Sequence, residues 1–413
     1  MIDIMSGMLL ASAAPQEGGL MHTKQAGRYE TVKELPKESN SFNQMFDYAN
    51  VTGNVRATYM YNNLRVDDNS AFAIGGTFGF DTASYRGFNL HVKATTSQNI
   101  NALNSDAASS KLAYDLFDEN GESFTYLSHA NLHYTNDILE MMAGRILIDT
   151  PYADSDDIRM AANTFEGLHV NSSLNEKVDI QGCYLTRWAG YDSGENQQEF
   201  KSLVDGGFGV AGASLNYKID EENIASLWYY YVDDMSSIIY AEYAGHHYFT
   251  DEFHMEFGIQ GSSIGELDDS SISGNVLGAM ALLDYGPFFG GFSYNYGYID
   301  EGKMITDGFG GGPYYTSLDE ATIGAVSEAA MGQDVEAYRL GAGYDLESQN
   351  IVFEMVYGNL SSSDNRVNID EFDVVVTYEI DDRWSVEGIF MKYTSKDPKE
   401  EFDRGLLRVD YHF

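Results

Sequence analysis

A two-residue apolar rhythm recurs in about eighteen short segments of this chain and runs to its last residue. In the final segment Leu407, Val409, Tyr411 and Phe413 alternate with Leu406, Arg408, Asp410 and His412. Extended backbone sends successive side chains to opposite faces, so this segment carries one apolar row and one mostly charged row. The same pattern appears in Val51, Gly53, Val55, Ala57, Tyr59 and Tyr61, and again in Phe88, Leu90, Val92 and Ala94. Phe253 to Ile259, Tyr338 to Tyr344, Ile351 to Tyr357 and Phe372 to Tyr378 repeat it later. A sheet that is greasy on one face and polar on the other, with no helical pattern between its strands, is expected to close on itself in a membrane. The expectation is an all-β fold, a transmembrane antiparallel β-barrel of about eighteen strands with lipid outside and water inside.

Composition is consistent with that architecture. A soluble chain of 413 residues usually divides into domains, whereas a large barrel needs no central core. The mean hydropathy is -0.31, and no stretch approaches the roughly 20 apolar residues of a spanning helix. With 30 Tyr, 23 Phe and 41 Gly against 6 Pro, the chain suits pleated strands, tight turns and aromatic girdles. Trp188, Trp228, Tyr229, Tyr230 and Tyr231 fall near strand ends, where an interfacial belt is expected. Near Leu139, Ala225 and Leu277 the apolar runs are almost continuous, and the faces cannot be read.

The connections alternate in length. Asp81-Thr82-Ala83, Asp220 to Asn223, Gly286-Pro287, Glu347 to Asn350 and Asp381-Asp382 read as tight turns. Between them lie long polar connections near 97–123, 147–163, 189–206, 262–273, 299–334 and 394–401. That asymmetry predicts short periplasmic turns, long extracellular loops, and both termini on the periplasmic side. Residues 1–13 read as a signal-peptide remnant, because Ala11-Ser12-Ala13 follows a short apolar run. Residues 14–49 are polar and unpatterned, a periplasmic N-terminal leader, and 50–413 form the barrel.

Lys+Arg 24 against Asp+Glu 64 gives a formal charge of -40, which excludes nucleic acid as a partner. The acidic excess either draws cations to a pore mouth or simply solvates the loops. Cys183 is the one cysteine, so no internal disulfide forms, and it reads as a small strand filler.

Two stretches go beyond generic barrel pattern. Ser41-Phe42-Asn43-Gln44-Met45-Phe46, leading into Val51-Thr52-Gly53-Asn54-Val55-Arg56, resembles the lead-in to the first strand of OprD-family porins. Gly144-Arg145, Asp149-Thr150-Pro151, Ser155-Asp156-Asp157-Ile158-Arg159 and Asn163-Thr164-Phe165-Glu166-Gly167 resemble that family's passage into an inward-folded third loop. The resemblance, similar in kind to variants of epsilon-class proteobacteria, implies an eighteen-stranded barrel that carries small nutrients across the outer membrane.

The residues of that passage support the same expectation. The 147–163 connection is rich in charge yet framed by Ile148, Pro151, Tyr152 and Phe165, so it can fold into the lumen and narrow it. Its constriction residues are expected to be Arg145, Asp149, Asp154, Asp156, Asp157, Arg159 and Glu166. Strict alternation places Arg145 with Leu139, Met141 and Ala143, so a β-bulge would be needed to turn it inward. Inward candidates on the wall are Arg56, Lys93, Arg187, Arg339, Lys392 and Arg408, with the carboxylates Glu242, Glu256, Glu354, Asp373 and Asp410. The resemblance implies a basic ladder for carboxylate substrates, but this many inward carboxylates weighs against anion specificity. Tyr411 and Phe413 resemble the terminal signal read by the barrel-assembly machinery.

No catalytic constellation stands out, and the chain is not expected to be an enzyme. His129 and His133 are about 13 Å apart along a strand, too far to share a metal, and no metal site or cofactor is expected. Acidic clusters such as Glu266-Leu267-Asp268-Asp269 and Asp154 to Asp157 could nonetheless hold Ca²⁺. Gly308-Phe309-Gly310-Gly311-Gly312-Pro313 lacks the ending of a phosphate loop and reads as a flexible outer-loop tip. The expected function is passive, charge-selective diffusion of small hydrophilic solutes or ions. The expected surroundings are outer-membrane lipid and lipopolysaccharide, with the chain a monomer or homotrimer. Two alternatives stay open: a cation-preferring trimeric porin, or a surface barrel whose loops bind partners.

Overall fold

A computed structural model of this chain describes residues 37–65, 67–106, 109–194, 196–250 and 252–413. The signal-peptide remnant at 1–13 and the leader as far as residue 36 lie outside the described residues. Apart from three two-residue pieces (Asp149–Thr150, Ala153–Asp154 and Lys201–Ser202), eighteen strands follow one another. They are β1 (Asn50–Leu64), β2 (Asn69–Asp81), β3 (Phe88–Asn99), β4 (Phe124–Thr135), β5 (Leu139–Ile146) and β6 (Thr164–Asn175). Next come β7 (Val178–Ala189), β8 (Val210–Lys218), β9 (Asn223–Val232), β10 (Ser236–Thr250), β11 (Phe253–Glu266) and β12 (Gly274–Tyr285). The last are β13 (Phe288–Ile299), β14 (Val335–Leu346), β15 (Ile351–Ser362), β16 (Asn368–Glu379), β17 (Trp384–Ser395) and β18 (Phe402–His412).

Each strand pairs antiparallel with the next. β18 returns to β1, from Asn54 opposite His412 to Leu64 opposite Phe402. Closure removes the unpaired edges that an open sheet would expose to lipid. The wall is therefore an eighteen-stranded antiparallel barrel, as the alternation predicts.

Burial follows residue parity. Val55, Ile259, Phe353 and Leu407 are exposed on the outer rows, and Met60, Arg56 and Arg408 are buried on the inner ones. Leu277 proves to face outward, and so do Leu227, Tyr229 and Tyr231. The aromatic-belt expectation is half corrected here. Trp228 and Tyr230 share the opposite parity and stack inside the barrel, ring centroids 5.3 Å apart. Trp188 also packs inward, against Phe165 and Phe309.

The tight turns expected from the sequence and both described ends of the barrel lie on one rim, and the other carries the long connections together with a short one at 233–235. On the short-turn rim a six-residue helix, α1 (Phe42–Asp47), is capped by the Ser41 hydroxyl, which accepts from the Gln44 amide. It docks by the Ala83 amide donating to the Met45 carbonyl at 3.0 Å.

In the long-loop half of the lumen, long loops pack their apolar side chains against the wall. Tyr152, from the 147–163 loop, and Ile305, Tyr314, Ile323 and Val326, from the 300–334 loop, bury against Trp228, Tyr230, Tyr240 and Leu360 of the wall. Leu112, Leu116 and Phe117, from the 100–123 loop, bury with Met160 and Ala161 against Met60, Ala71 and Leu406. Each large side chain removed from water contributes about 1.5–3 kcal/mol, so these loops are held as firmly as domain cores. α2 (Ile323–Ala329) presents Ile323 and Val326 to this interior and is capped by the Thr322 hydroxyl, which accepts from Ala325 N.

Candidate functional site

The third outer loop, 147–163, folds into the barrel and is tied to the seam where the wall closes. Arg56 of β1 donates to both carboxylate oxygens of Asp157, at 2.6 and 2.8 Å. Its Nε donates to Asp410 of β18 at 2.9 Å, and a further N–H reaches the Arg159 carbonyl at 2.8 Å. Arg408 donates to the Asp157 carbonyl at 2.8 Å and pairs with Glu387 at 2.8 Å. Burial alone would push the Asp157 carboxyl up, but the Arg56 guanidinium outweighs it and holds the group below the usual carboxylate range. A forked guanidinium fits this task because two parallel bonds fix orientation as well as distance.

A second loop, 300–334, also folds inward, which corrects the expectation of a flexible tip at Gly308 to Pro313. Phe309 N donates to the Tyr152 carbonyl at 3.0 Å, and Asp154 N donates to the Phe309 carbonyl at 2.9 Å. The two backbones approach so closely that a Cβ on Gly308, at φ +86, would sit 2.5 Å from the Tyr152 carbonyl oxygen. The loop is fixed to the wall by Glu371, which accepts from Ala321 N at 2.8 Å, and by Ser293, which donates to the Tyr315 carbonyl at 2.7 Å. Tyr315 donates to Glu242.

Between the two loops lies a charged cluster. Arg159 faces Asp319 at 3.4 Å and lies over the Tyr191 ring at 5.0 Å. Arg404 of β18 faces Asp319 at 3.4 Å, Glu320 at 2.8 Å and Asp115 at 3.6 Å. Every one of these guanidiniums therefore already faces carboxylate. The acids keep part of their surface in water, with the Glu320 side chain 37% and the Asp115 side chain 33% exposed. Asp192, beside Asn163 at 2.6 Å, is pushed up to about 6 by burial and by Asp156.

The expected site residues separate into three places. Asp154, Asp156, Asp157 and Arg159 lie in the inward loop as expected, while Asp149 is exposed on its outer arm, in register with Asp154. Arg56, Arg408 and Asp410 form its anchor. Arg339, Glu354, Asp373 and Glu242 face inward but are buried beneath the folded loops. Lys93 faces the periplasmic half of the lumen, 3.1 Å from Asp81.

Arg145, Glu166 and Arg187 lie on outward rows of the wall at the root of the third loop, with the Arg145 guanidinium over the buried Phe200 ring at 4.1 Å. The ladders of β5 run through Met141, Ala143 and Arg145 without a shift, so Arg145 keeps the outward row. In β7 an extra residue, Thr186, sits between Leu185 and Arg187 and turns Arg187 outward opposite Glu166. The three form a staple, Arg145 to Glu166 at 2.9 Å and Arg187 to Glu166 at 3.4 Å. Arg145 also donates to the Leu127 carbonyl at 2.5 Å, beyond the point where the β4–β5 ladder stops at Ala130 opposite Arg145. These side chains secure the root of the third loop. Lys392 also lies on an outward row, opposite Asp403 near a strand end.

At the chain end, Tyr411 lies on the outward row against Trp384, ring centroids 4.8 Å apart, and Phe413 N donates to the Gly53 carbonyl at 3.0 Å. Cys183 is buried on an inner row. Of the acidic clusters, Glu266 already accepts from Lys303 at 2.7 Å and Ser271 N at 2.7 Å, and among the described residues no metal-holding group of three or more His, Cys, Asp or Glu is present.

Comparison with known proteins adds to this geometry. A family model described as outer membrane porin, OprD family, matches residues 63–276. Among solved structures, the chain is similar to Pseudomonas aeruginosa OpdK with vanillate at 15% identity and TM-score 0.73, covering 89% of this chain and 99% of that one. It is similar to Pseudomonas aeruginosa OccK9 (OpdG) at 13% identity and TM-score 0.76, covering 89% and 99%. Acinetobacter baumannii OccAB2 shows 14% identity and TM-score 0.75, covering 90% and 99%. No curated protein matches the chain.

Proposed function

This chain belongs to the OprD family of outer membrane porins and is a bacterial outer-membrane channel for the diffusion of small solutes, and on that premise we propose that its path prefers cations. The carrying observation is the charge balance between the two inward loops and the seam. Four guanidiniums there, Arg56, Arg159, Arg404 and Arg408, face six carboxylates, Asp115, Asp157, Asp319, Glu320, Glu387 and Asp410. A guanidinium already forked onto a carboxylate has few donors left for a passing anion. The exposed carboxylates instead raise the local concentration of cations in a narrow, poorly screened passage.

Transport of this kind is passive, without energy coupling or catalysis. OpdK is described with vanillate, a carboxylate. In this chain the excess of acid at the constriction favours small cationic and zwitterionic solutes over carboxylates. The terminal strand, ending in Tyr411 and Phe413, is read as the signal for the barrel-assembly machinery. Liposome swelling with solutes of similar size and different charge tests the preference. Diamines and basic amino acids are expected to enter faster than dicarboxylates, and faster entry of the dicarboxylates would overturn the reading.

A further inference from the structure

The periplasmic half of the lumen holds a second charged grouping, well away from the folded loops. Four residues on adjacent strands form a continuous chain of contacts. Asp81 of β2 lies 2.6 Å from His91 Nδ1 of β3. His91 Nε2 lies 3.4 Å from His133 Nδ1 of β4. His133 Nε2 lies 2.9 Å from Glu140 of β5. The side chains of His91 and Glu140 are 26% and 28% exposed, so the chain borders the water of the vestibule.

Proton counting constrains what this arrangement holds. Each of the three links needs a hydrogen between its two heavy atoms. Two neutral imidazoles carry only two N–H groups, so three links require a third proton, shared between an imidazole and a carboxylate. The side-chain amide of Asn89 donates to His91 Nε2 at 2.8 Å, which makes that nitrogen the acceptor, so the hydrogen of the middle link is on His133 Nδ1 and the third proton lies between His133 Nε2 and Glu140. His133 therefore shares a proton with Glu140, and the Thr135 hydroxyl also lies 3.0 Å from His133 Nε2.

The other charged and titratable groups facing the pair are Lys93, 3.1 Å from Asp81, and the histidines His129 on β4 and His169 on β6. With Lys93 positive, Asp81 negative and the His133–Glu140 pair holding its shared proton, the grouping is neutral. Loss of the shared proton leaves it at -1.

We infer that His91 and His133, held between Asp81 and Glu140, are specificity-determining residues that form a second, proton-dependent charge filter at the periplasmic mouth. The inference requires that the lumen conducts and does not depend on which ion the constriction prefers. When the proton leaves, the mouth gains a negative charge and draws cations more strongly. When it is held, that attraction weakens.

The test is the zero-current potential of single channels in a KCl gradient between about pH 5 and about pH 8, the interval in which imidazole side chains change charge. The cation-to-anion permeability ratio of the wild type is expected to rise about twofold toward alkaline pH, the scale of one charge a few ångströms from the path in salt solution. His133→Gln is expected to lose most of that rise, and His133→Lys to hold the ratio at its low value across the range. If both variants insert, conduct and keep the full wild-type rise, the inference is wrong. Should His133→Gln fail to insert, His91→Gln supplies the same comparison. A wild type that favours anions throughout yet shows the rise would overturn the constriction reading alone.

Discussion

Arg56 on the wall and Asp157 in the inward loop are joined by two parallel hydrogen bonds of 2.6 and 2.8 Å. The same guanidinium holds Asp410, on the strand that closes the barrel, at 2.9 Å. The seam of the cylinder and the mooring of its inward loop are thus one structural unit. Removing one partner strands a buried charge, which is costlier than never having built the pair.

Asp157→Asn is expected to loosen the 147–163 loop while the barrel stays closed, because Arg56 keeps Asp410. Single-channel recordings should show larger and noisier currents than the wild type. A double-mutant cycle with Arg56→Gln, read by thermal unfolding in detergent, should give a coupling of roughly 2 kcal/mol. Additive losses would mean that the loop is moored elsewhere.

Gly308→Ala tests the clasp between the two loops. The added methyl would meet the Tyr152 carbonyl oxygen at 2.5 Å, and alanine is strained at a φ of +86. A cost of about 1–3 kcal/mol is expected, taken up by separation of the 300–334 loop from the third loop. Conductance should rise and proteolytic nicking within 300–334 should quicken, whereas unchanged values would place the clasp elsewhere.

Arg145→Gln separates anchoring from selectivity. Arg145 lies on the outward row and holds Glu166 and the Leu127 carbonyl, so its loss is expected to cost about 1–3 kcal/mol of thermal stability. Ion selectivity at fixed pH should not change. A shift comparable to that of Glu320→Lys, which adds a cation between the loops, would return Arg145 to the constriction.

The 300–334 loop also carries a pH dependence of its own. Burial pushes the Asp307 carboxyl up to about 6 from 3.8, although it accepts from Thr322 at 2.7 Å and from Gly324 N at 3.1 Å. An acid with a raised value in the docked loop holds its proton there between about pH 4 and about pH 6, while the released loop has lost it. Docking is therefore strongest at acid pH, weakens as pH rises through that window, and levels off above it by roughly 3 kcal/mol. Protease nicking of the loop should follow that curve, and Asp307→Asn should flatten it.

Much of this architecture was legible because every strand obeys the same constraint. Leu407, Val409 and Tyr411 must face lipid while Arg408 and Asp410 must not, and that requirement leaves its mark in each segment separately. The third loop could be read for a related reason, since Ile148, Tyr152 and Phe165 frame charges that a purely outer loop has no cause to frame. The 300–334 loop was missed because a loop folded into a polar lumen has the composition of one in water. Its signal lay in Tyr314, Tyr315, Ile323 and Val326, beside glycines that permit close approach. Arg187 was misplaced because the extra residue at Thr186 reverses parity without any change in composition. In Trp228 to Tyr231, four consecutive aromatic residues gave alternation nothing to distinguish, and packing against the folded loops decided which two turned inward.

The most direct measurement is the zero-current potential of the purified wild-type barrel in a planar bilayer under a KCl gradient at neutral pH. A potential of the sign set by potassium, reduced in size by Glu320→Lys, is expected. A potential set by chloride would contradict the charge balance drawn from Arg404, Asp319 and Glu320.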